Sequence, residues 1–412
     1  MKEALKKLVR KAWRFQPAWL RRAELRLIMR LAAKTLDPNR PLLKGDVVVG
    51  GFLGTATGLG EGARQMLALF RAAGIDAKGA NVSRFAVMED FEAGSLWPEE
   101  AQEGGIAIFH VNPDLQNMVL GAVGAKRFRT RRLVGLWAWE LELVPDQWKR
   151  ALRCVDEVWA PSHFIADAIR KVADGKPVYV VPHSLDVEAW PTAPKNDPLP
   201  QFAGRPIVFF AFDVRSTIAR KNPEAVIEAF RRATQGNPDP VLVLKVNSEK
   251  SWPEARAYID RITAGMPDIY VMRDVLSSEG MKDLVARADV ILSLHRSEGF
   301  GLLVAEGMAA AKPVIATGWS GNVDFMDKDC SVPVGYKLVP VKDPQNIYNH
   351  FGAVWAEPDI EEAAQALRRL LADPEARKRM GTAARAHVTK YFARDRWLKK
   401  LPQSFWDSLT PL

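Results

Sequence analysis

Cysteine is almost absent from this 412-residue chain: Cys154 and Cys330 are the only two, and they have no CxxC spacing. That excludes a disulfide framework and a cysteine-ligated structural zinc, and it fits a reducing compartment. No run approaches the ~20 apolar residues that span a bilayer. The N-terminal segment lacks an unbroken apolar stretch, so no cleaved signal is expected. The longest uncharged candidate, Val47 to Gly60, is rich in Gly and Thr and reads as a strand followed by a turn. Walker A and full GxGxxG sequences are missing too. His163, His183, His295, His350 and His387 show no metal-ligand spacing and are read as structural.

Net charge is missing from most of the molecule. The chain carries +9 overall, but residues 1–34 hold eleven Lys or Arg against two Glu, so the remainder is balanced. With 48% hydrophobic and 26% charged residues the composition is that of a globular protein, which excludes wholesale disorder, collagen and a polytopic membrane protein. Its length suggests two or three domains, each able to bury a core.

In the basic arm, Leu5, Leu8, Val9, Ala12 and Trp13 recur at helical spacing among Lys6, Lys7, Arg10, Lys11 and Arg14. After Pro17 a second stripe runs through Leu20, Ala23, Leu27 and Leu31. Basic amphipathic helices with tryptophan suit an anionic bilayer surface, each cation contributing about 1 kcal/mol. The competing reading packs the stripes on the protein body. No nucleic acid partner is expected, because no recognition module follows and the body is charge-balanced.

Beyond the arm, short β-branched runs alternate with helical patterns: Val47 to Val49, Ile106 to Phe109, Leu133 to Trp137, Val155 to Ala160 and Val178 to Val181 as strands, with Glu61 to Ala73, Pro145 to Arg153 and Ser162 to Val172 as helices. Five prolines then crowd into Pro191 to Pro206, a linker signal. The alternation restarts with strands at Ile207 to Phe212, Val241 to Val246, Ile269 to Met272, Val290 to Leu294 and Val314 to Ala316, and Glu361 to Phe392 is helical. The pattern implies an α/β fold with two Rossmann-like, doubly wound domains facing a central cleft. Boundaries follow: arm 1–45, first domain 46–190, linker 191–206, second domain 207–385, and a helical segment 386–412 that returns to the first domain.

Ligands of open parallel sheets bind at the C-terminal ends of the strands. The richest such stretch is SEGFGLLVAE, Ser297 to Glu306. A strand ends, a glycine turn follows, and a helix begins near Gly301, whose free amides suit phosphate. Glu306, one turn into the helix, is able to hold the vicinal hydroxyls of a ribose, and Glu298 another set of hydroxyls. In the first domain Gly58 and Gly60 form a flexible loop able to approach a diphosphate, and His110 ends a buried strand. Asp327-Lys328-Asp329 spells D-x-D, a metal motif elsewhere, but lies in a polar turn and reads as surface.

This constellation resembles glycosyltransferase family 4, of GT-B fold. Glu298 and Glu306 match its E-x7-E motif, continued by Lys312 to Thr317 and Ser320-Gly321-Asn322. GLWAWELE at Gly135 to Glu142, VWAPS at Val158 to Ser162, Val181-Pro182-His183 and Arg220-Lys221-Asn222-Pro223 extend the likeness over residues 46–390. The resemblance implies a retaining transfer from a nucleotide-sugar. Glu306 would bind donor ribose and Glu298 the sugar, with His110 near the reacting carbon and the amides of Gly299, Phe300, Gly301 and Leu302 facing sugar and phosphate. Lys221 matches one of the family's two diphosphate cations; the usual partner position holds Ser216, leaving Arg215 or Arg220. Base recognition would fall near Met272-Arg273-Asp274. No cofactor and no metal are expected. The expected partners are the nucleotide-sugar donor, a saccharide or lipid-linked saccharide acceptor of a bacterial surface polymer, and an anionic membrane surface met by residues 1–34 and the cluster Lys126, Arg127, Arg129, Arg131 and Arg132. That places the protein in the cytoplasm, peripheral at the inner face of the membrane. Two rivals remain: a nucleotide-sugar epimerase of the same fold, and a non-catalytic nucleotide-sugar-binding subunit.

Overall fold

Apolar runs that offer no polar face become strands buried on both sides, which requires helices above and below a parallel sheet. The computed structural model describes residues 36–410 apart from 56, 86–93, 250–252 and 351; the basic arm and both its amphipathic stripes lie outside the described residues. The first sheet comprises β1 (Asp46–Gly51), β2 (Ala77–Asn81), β3 (Gly105–His110), β4 (Arg132–Leu136), β5 (Glu157–Ala160) and β6 (Val178–Val180). The second comprises β7 (Ile207–Asp213), β8 (Val241–Asn247), β9 (Ile269–Met272), β10 (Val290–Ser293), β11 (Val314–Thr317) and β12 (Val332–Val334). Strand order is β2-β1-β3-β4-β5-β6 in one and β12-β11-β10-β7-β8-β9 in the other, with every pairing in both sheets parallel. Chain direction across the sheet therefore reverses between β1 and β3, and again between β7 and β10. These are the topological switch points where such sheets open a ligand crevice.

Two elements tie the lobes together. The antiparallel hairpin β13 (Tyr336–Pro340) and β14 (Val354–Pro358) leaves the second lobe, and its connecting loop delivers Tyr348 and Ala353, with Trp355 of β14, into the first lobe's core. The C-terminal segment also crosses back. Trp397, Leu401 and Phe405 pack with Val47, Val49 and Phe70, Trp397 Nε1 donates to Pro182 O at 2.8 Å, and Gly45 bridges Leu409.

Some local expectations fail. The helix expected over Pro145 to Arg153 shrinks to Trp148–Ala151 followed by a 3-10 turn, Leu152–Cys154. The basic cluster is a surface patch only in part. Arg131 is fully buried and ion-paired to Asp46 at 2.6 Å, Arg132 reaches Glu157 at 3.4 Å, and Arg127 donates to Val123 O. Lys126, Arg127 and Arg129 stay exposed. They precede β4, at the end of the sheet away from the cleft, because a buried strand start holds its cations by carboxylates that are remote in sequence.

Candidate functional site

Around Arg220 and Lys221 the backbone is bent twice. Thr217 carries φ 59°, an uncommon value for a β-branched residue, and its Oγ1 accepts from Arg220 N at 3.2 Å. Asn222 ends the short helix Ile218–Lys221 in the left-handed region with φ 56°, donates from Nδ2 to Leu294 O at 3.0 Å, and is followed by Pro223, which opens the next helix. The turn aims both cations at the end of β10. Strained backbone of this kind clusters at functional sites.

There they meet Glu298. Lys221 Nζ bonds Glu298 Oε1 directly, and Arg220 Nη1 lies 3.4 Å from the same oxygen. Arg220 is otherwise enclosed, its Nη1 donating to Ser297 O at 2.6 Å and its Nε to Ser216 O at 3.1 Å. Its Nη2 lies 3.8 Å from Glu140 Oε1 of the first lobe, while Tyr348 donates to Glu140 Oε2 at 2.7 Å. Burial alone would raise the Glu298 carboxyl, but Lys221 and Arg220 outweigh it and hold the pKa at about 2. Arg215 turns away into a bidentate pair with Asp213, at 2.6 and 3.0 Å, so of the two candidate arginines it is Arg220 that accompanies Lys221.

The glycine turn is held from both lobes. Ser320, at φ 75°, accepts from Glu298 N at 2.7 Å, and Ser162 Oγ donates to Gly299 O at 2.7 Å. A Cβ at Gly299 would stand 2.9 Å from Trp139 O and 3.2 Å from Ile165 Cδ1, so glycine here permits close approach of the lobes. His163 adds a further interlobe contact, its backbone N donating to Asp324 Oδ2 at 2.8 Å. Gly301 caps the helix Leu302–Ala309 at φ 93° without any side-chain cap, which leaves the helix's first amides and its positive end toward the cleft. Phe300 instead enters the core, 5.0 Å from the ring of Phe325.

Facing that helix across the cleft is another N-terminus, that of Gly58–Ala72. A Cβ at Gly58 would meet Leu302 Cδ1 at 3.5 Å. Gly60 serves packing: a Cβ there would lie 2.5 Å from Phe52 O. Glu306, partly exposed, is raised to a pKa of about 8 by burial and by the Glu61 carboxylate of the opposite helix. His110 ends β3 fully buried, with Nε2 3.4 Å from Met66 Sδ and no partner on Nδ1. Burial, then the neighbouring His183, keeps its pKa well below 6.5. Met272 is buried at the end of β9, two strands from β7.

Three residues at this site escaped sequence reasoning as functional. His183 stacks 6.0 Å from His110 and 5.1 Å from Phe300; its place just beyond β6 is the same signal that singled out His110. Glu140 and Tyr348 give no local sign, since their partners are distant in sequence. Asp327 and Asp329 form a surface turn, Asp329 N donating to Asp327 Oδ1 at 2.8 Å. Among the described residues, no group of three His, Cys, Asp or Glu is placed to hold a metal ion.

Two parallel sheets with facing switch points define the GT-B glycosyltransferase architecture. A glycosyltransferase from Rickettsia africae superposes with TM-score 0.62 at 15% identity, over 90% of this chain and 99% of that one. Anabaena Alr3699/HepE, solved with UDP-glucose, gives TM-score 0.62 at 15% identity over 88% and 100%. At such identity these likenesses concern the fold alone. The sequence is more specific: residues 163–401, over half of the chain, match the model of the family 4 glycosyltransferases in conflict systems, and the chain belongs to glycosyltransferase family 4. Curated relatives include sulfoquinovosyl transferase SQD2 of Arabidopsis thaliana, 28% identical over 39% of this chain and 32% of that protein, and trehalose synthase of Rubrobacter xylanophilus, 28% identical over 53% and 50%. The chain thus spans between a third and a half of the length of these relatives.

Proposed function

We propose that the protein transfers a sugar, with retention of configuration, from a nucleoside diphosphate sugar to an acceptor hydroxyl. The observation that carries this reading is the ion pair of Glu298 with Lys221 and Arg220 at the second lobe's switch point. In the loaded site the diphosphate takes Lys221, next to Arg220 and the amides of Gly301 and Leu302. Glu298, released from Lys221, accepts hydrogen bonds from sugar hydroxyls, and Glu306 receives the ribose. His110 and His183, both neutral by burial, line the sugar's other side. The bond from the sugar's C1 to the diphosphate oxygen breaks, a bond from C1 to the acceptor oxygen forms on the same face, and the acceptor proton leaves with the diphosphate. Preorganised donors of the Lys221 kind contribute about 2.7 to 4 kcal/mol each to such a step.

The acceptor in this reading is a lipid-linked saccharide of a bacterial surface polymer, met by a protein in the cytoplasm at the inner face of the membrane. Support comes from the arm, whose nine excess positive charges lie within 34 residues. No described helix is long and apolar enough to cross a membrane. Product formation by the parent chain, lost in Glu306→Ala, is the expected result when nucleotide-sugars are screened with saccharide acceptors. Activity unaffected by that substitution refutes the assignment, and donor isomerised without acceptor favours the epimerase.

A further inference from the structure

We propose that Lys245 and Glu249 read the donor's base and select one with a lactam edge, a carbonyl next to an N–H as in uracil and guanine, over an amino base such as cytosine or adenine. This deepens the nucleotide-sugar reading and rests on it.

Lys245 lies in β8, in register with Ala211 of β7 on one side and Met272 of β9 on the other. Side chains alternate along a strand, so Lys245 shares the face of Val241 and Val243. Those two pack in one cluster with Met272 and with Val304, Ala305 and Met308 of the helix that carries Glu306. The ammonium therefore rises at the C-terminal end of the sheet, one strand from the switch point, on the face where the ribose carboxylate stands. An apolar side chain would fill that row without cost; a cation only 1% exposed asks for a reason.

Its hydrogen bonding is incomplete. An ammonium has three donors, and Lys245 Nζ donates to Asn247 Oδ1 at 2.5 Å, its one hydrogen-bond partner among the described residues. Burial pulls its pKa down while Asp274, Asp213 and Glu249 push it up, which places those carboxylates around it. Glu249 is incomplete in the opposite sense. Its side chain is 9% exposed and Oε2 accepts from Arg273 Nε at 2.7 Å, yet Oε1 is buried with no partner. Buried carboxylate oxygens are almost always bonded, and the exceptions mark strain or a missing ligand.

An unfilled donor and an unfilled acceptor on one rim match a lactam edge: its carbonyl accepts from Lys245 and its N–H donates to Glu249. An amino base presents the reverse, an NH2 toward the ammonium and a ring lone pair toward the carboxylate. Both contacts then fail together, and such mismatches discriminate far more than a lost methyl group does.

Calorimetric titration of the full chain with UDP, CDP, GDP and ADP tests this, because UDP and CDP differ only at that edge. UDP is expected to bind at least about tenfold tighter than CDP, and GDP than ADP, the equivalent of about 1.4 kcal/mol. Lys245→Met should bring UDP to within about threefold of CDP while CDP, held by its diphosphate, binds as before; Glu249→Gln, whose amide offers either polarity, should narrow the gap too. CDP or ADP binding as tightly as its lactam counterpart overturns the proposal, as does a preference that survives both variants. The parent series decides even if a variant misfolds. Binding of none of the four nucleotides instead removes the nucleotide-sugar reading itself.

Discussion

Replacing Glu306 by Gln isolates the cost of keeping a carboxyl in the cleft. Burial, reinforced by Glu61, raises its pKa from 4.5 to about 8. A carboxyl that holds its proton more tightly in the folded chain stabilises the fold fully below pH 4.5, and that stability is lost as pH climbs through 8. At about 1.4 kcal/mol per pH unit the full interval sets an upper bound of about 5 kcal/mol. Water at the partly exposed side of Glu306 screens the charge, so about 2 kcal/mol is expected. Urea unfolding of parent and Glu306→Gln at pH 5 and pH 9 measures it. The two proteins should be nearly equal at pH 5, and the Gln variant should gain about 2 kcal/mol relative to the parent at pH 9. In Glu61→Gln the loss should finish at lower pH, since one repulsive neighbour is gone. A parent-to-variant difference that is the same at both pH values refutes the reasoning.

Lys221→Met should slow transfer by about 10²- to 10³-fold and destabilise the chain by about 2 kcal/mol, because it leaves the buried Glu298 carboxylate only the longer contact to Arg220; turnover and unfolding curves check both. Glu298→Gln should tighten binding of a free nucleoside diphosphate several-fold, by removing the rival for Lys221, while the nucleotide-sugar gains less; a titration with each separates the two effects. Gly299→Ala puts a Cβ 2.9 Å from Trp139 O. It should spread the lobes and cut turnover, seen as a larger radius of gyration in solution scattering. Deletion of residues 1–34 should weaken binding to anionic liposomes, with the parent's advantage vanishing as salt rises.

What sequence could tell followed from burial. Val47 to Val49, Ile106 to Phe109 and Ile207 to Phe212 are covered on both faces and read as apolar runs, whereas the edge strand β2 carries Lys78 and Asn81 and gave no such signal. The helix start read at Ser162 was legible because capping is local: Ser162 Oγ accepts from Ile165 N at 3.3 Å. Arg131 read as a surface cation because Asp46, 85 residues away, is invisible from its neighbourhood. The same limit hid Tyr348 and Glu140, 208 residues apart, whereas Glu298 and Glu306 were legible since one turn and one helix hold both.

Charge balance explains why the site uses paired rather than lone groups. Arg220 and Lys221 offer two positive charges, and Glu298 and Glu140 stand beside them with two negative ones. This group of four is therefore neutral, and neither cation carries an uncompensated desolvation cost. In the proposed reading, a diphosphate would replace the carboxylate at Lys221 and Glu298 would turn toward neutral hydroxyls, which satisfy its lone pairs without a countercharge. Arg220, enclosed by Ser297 O and Ser216 O, would keep its position on this reading. Glu140 approaches it from the first lobe, held by Tyr348 on the hairpin of the second lobe. Because this network draws on both lobes, separating them removes Glu140 from Arg220 and weakens the cationic site's support. In the proposed reading, lobe contact and readiness for the donor's charge therefore go together.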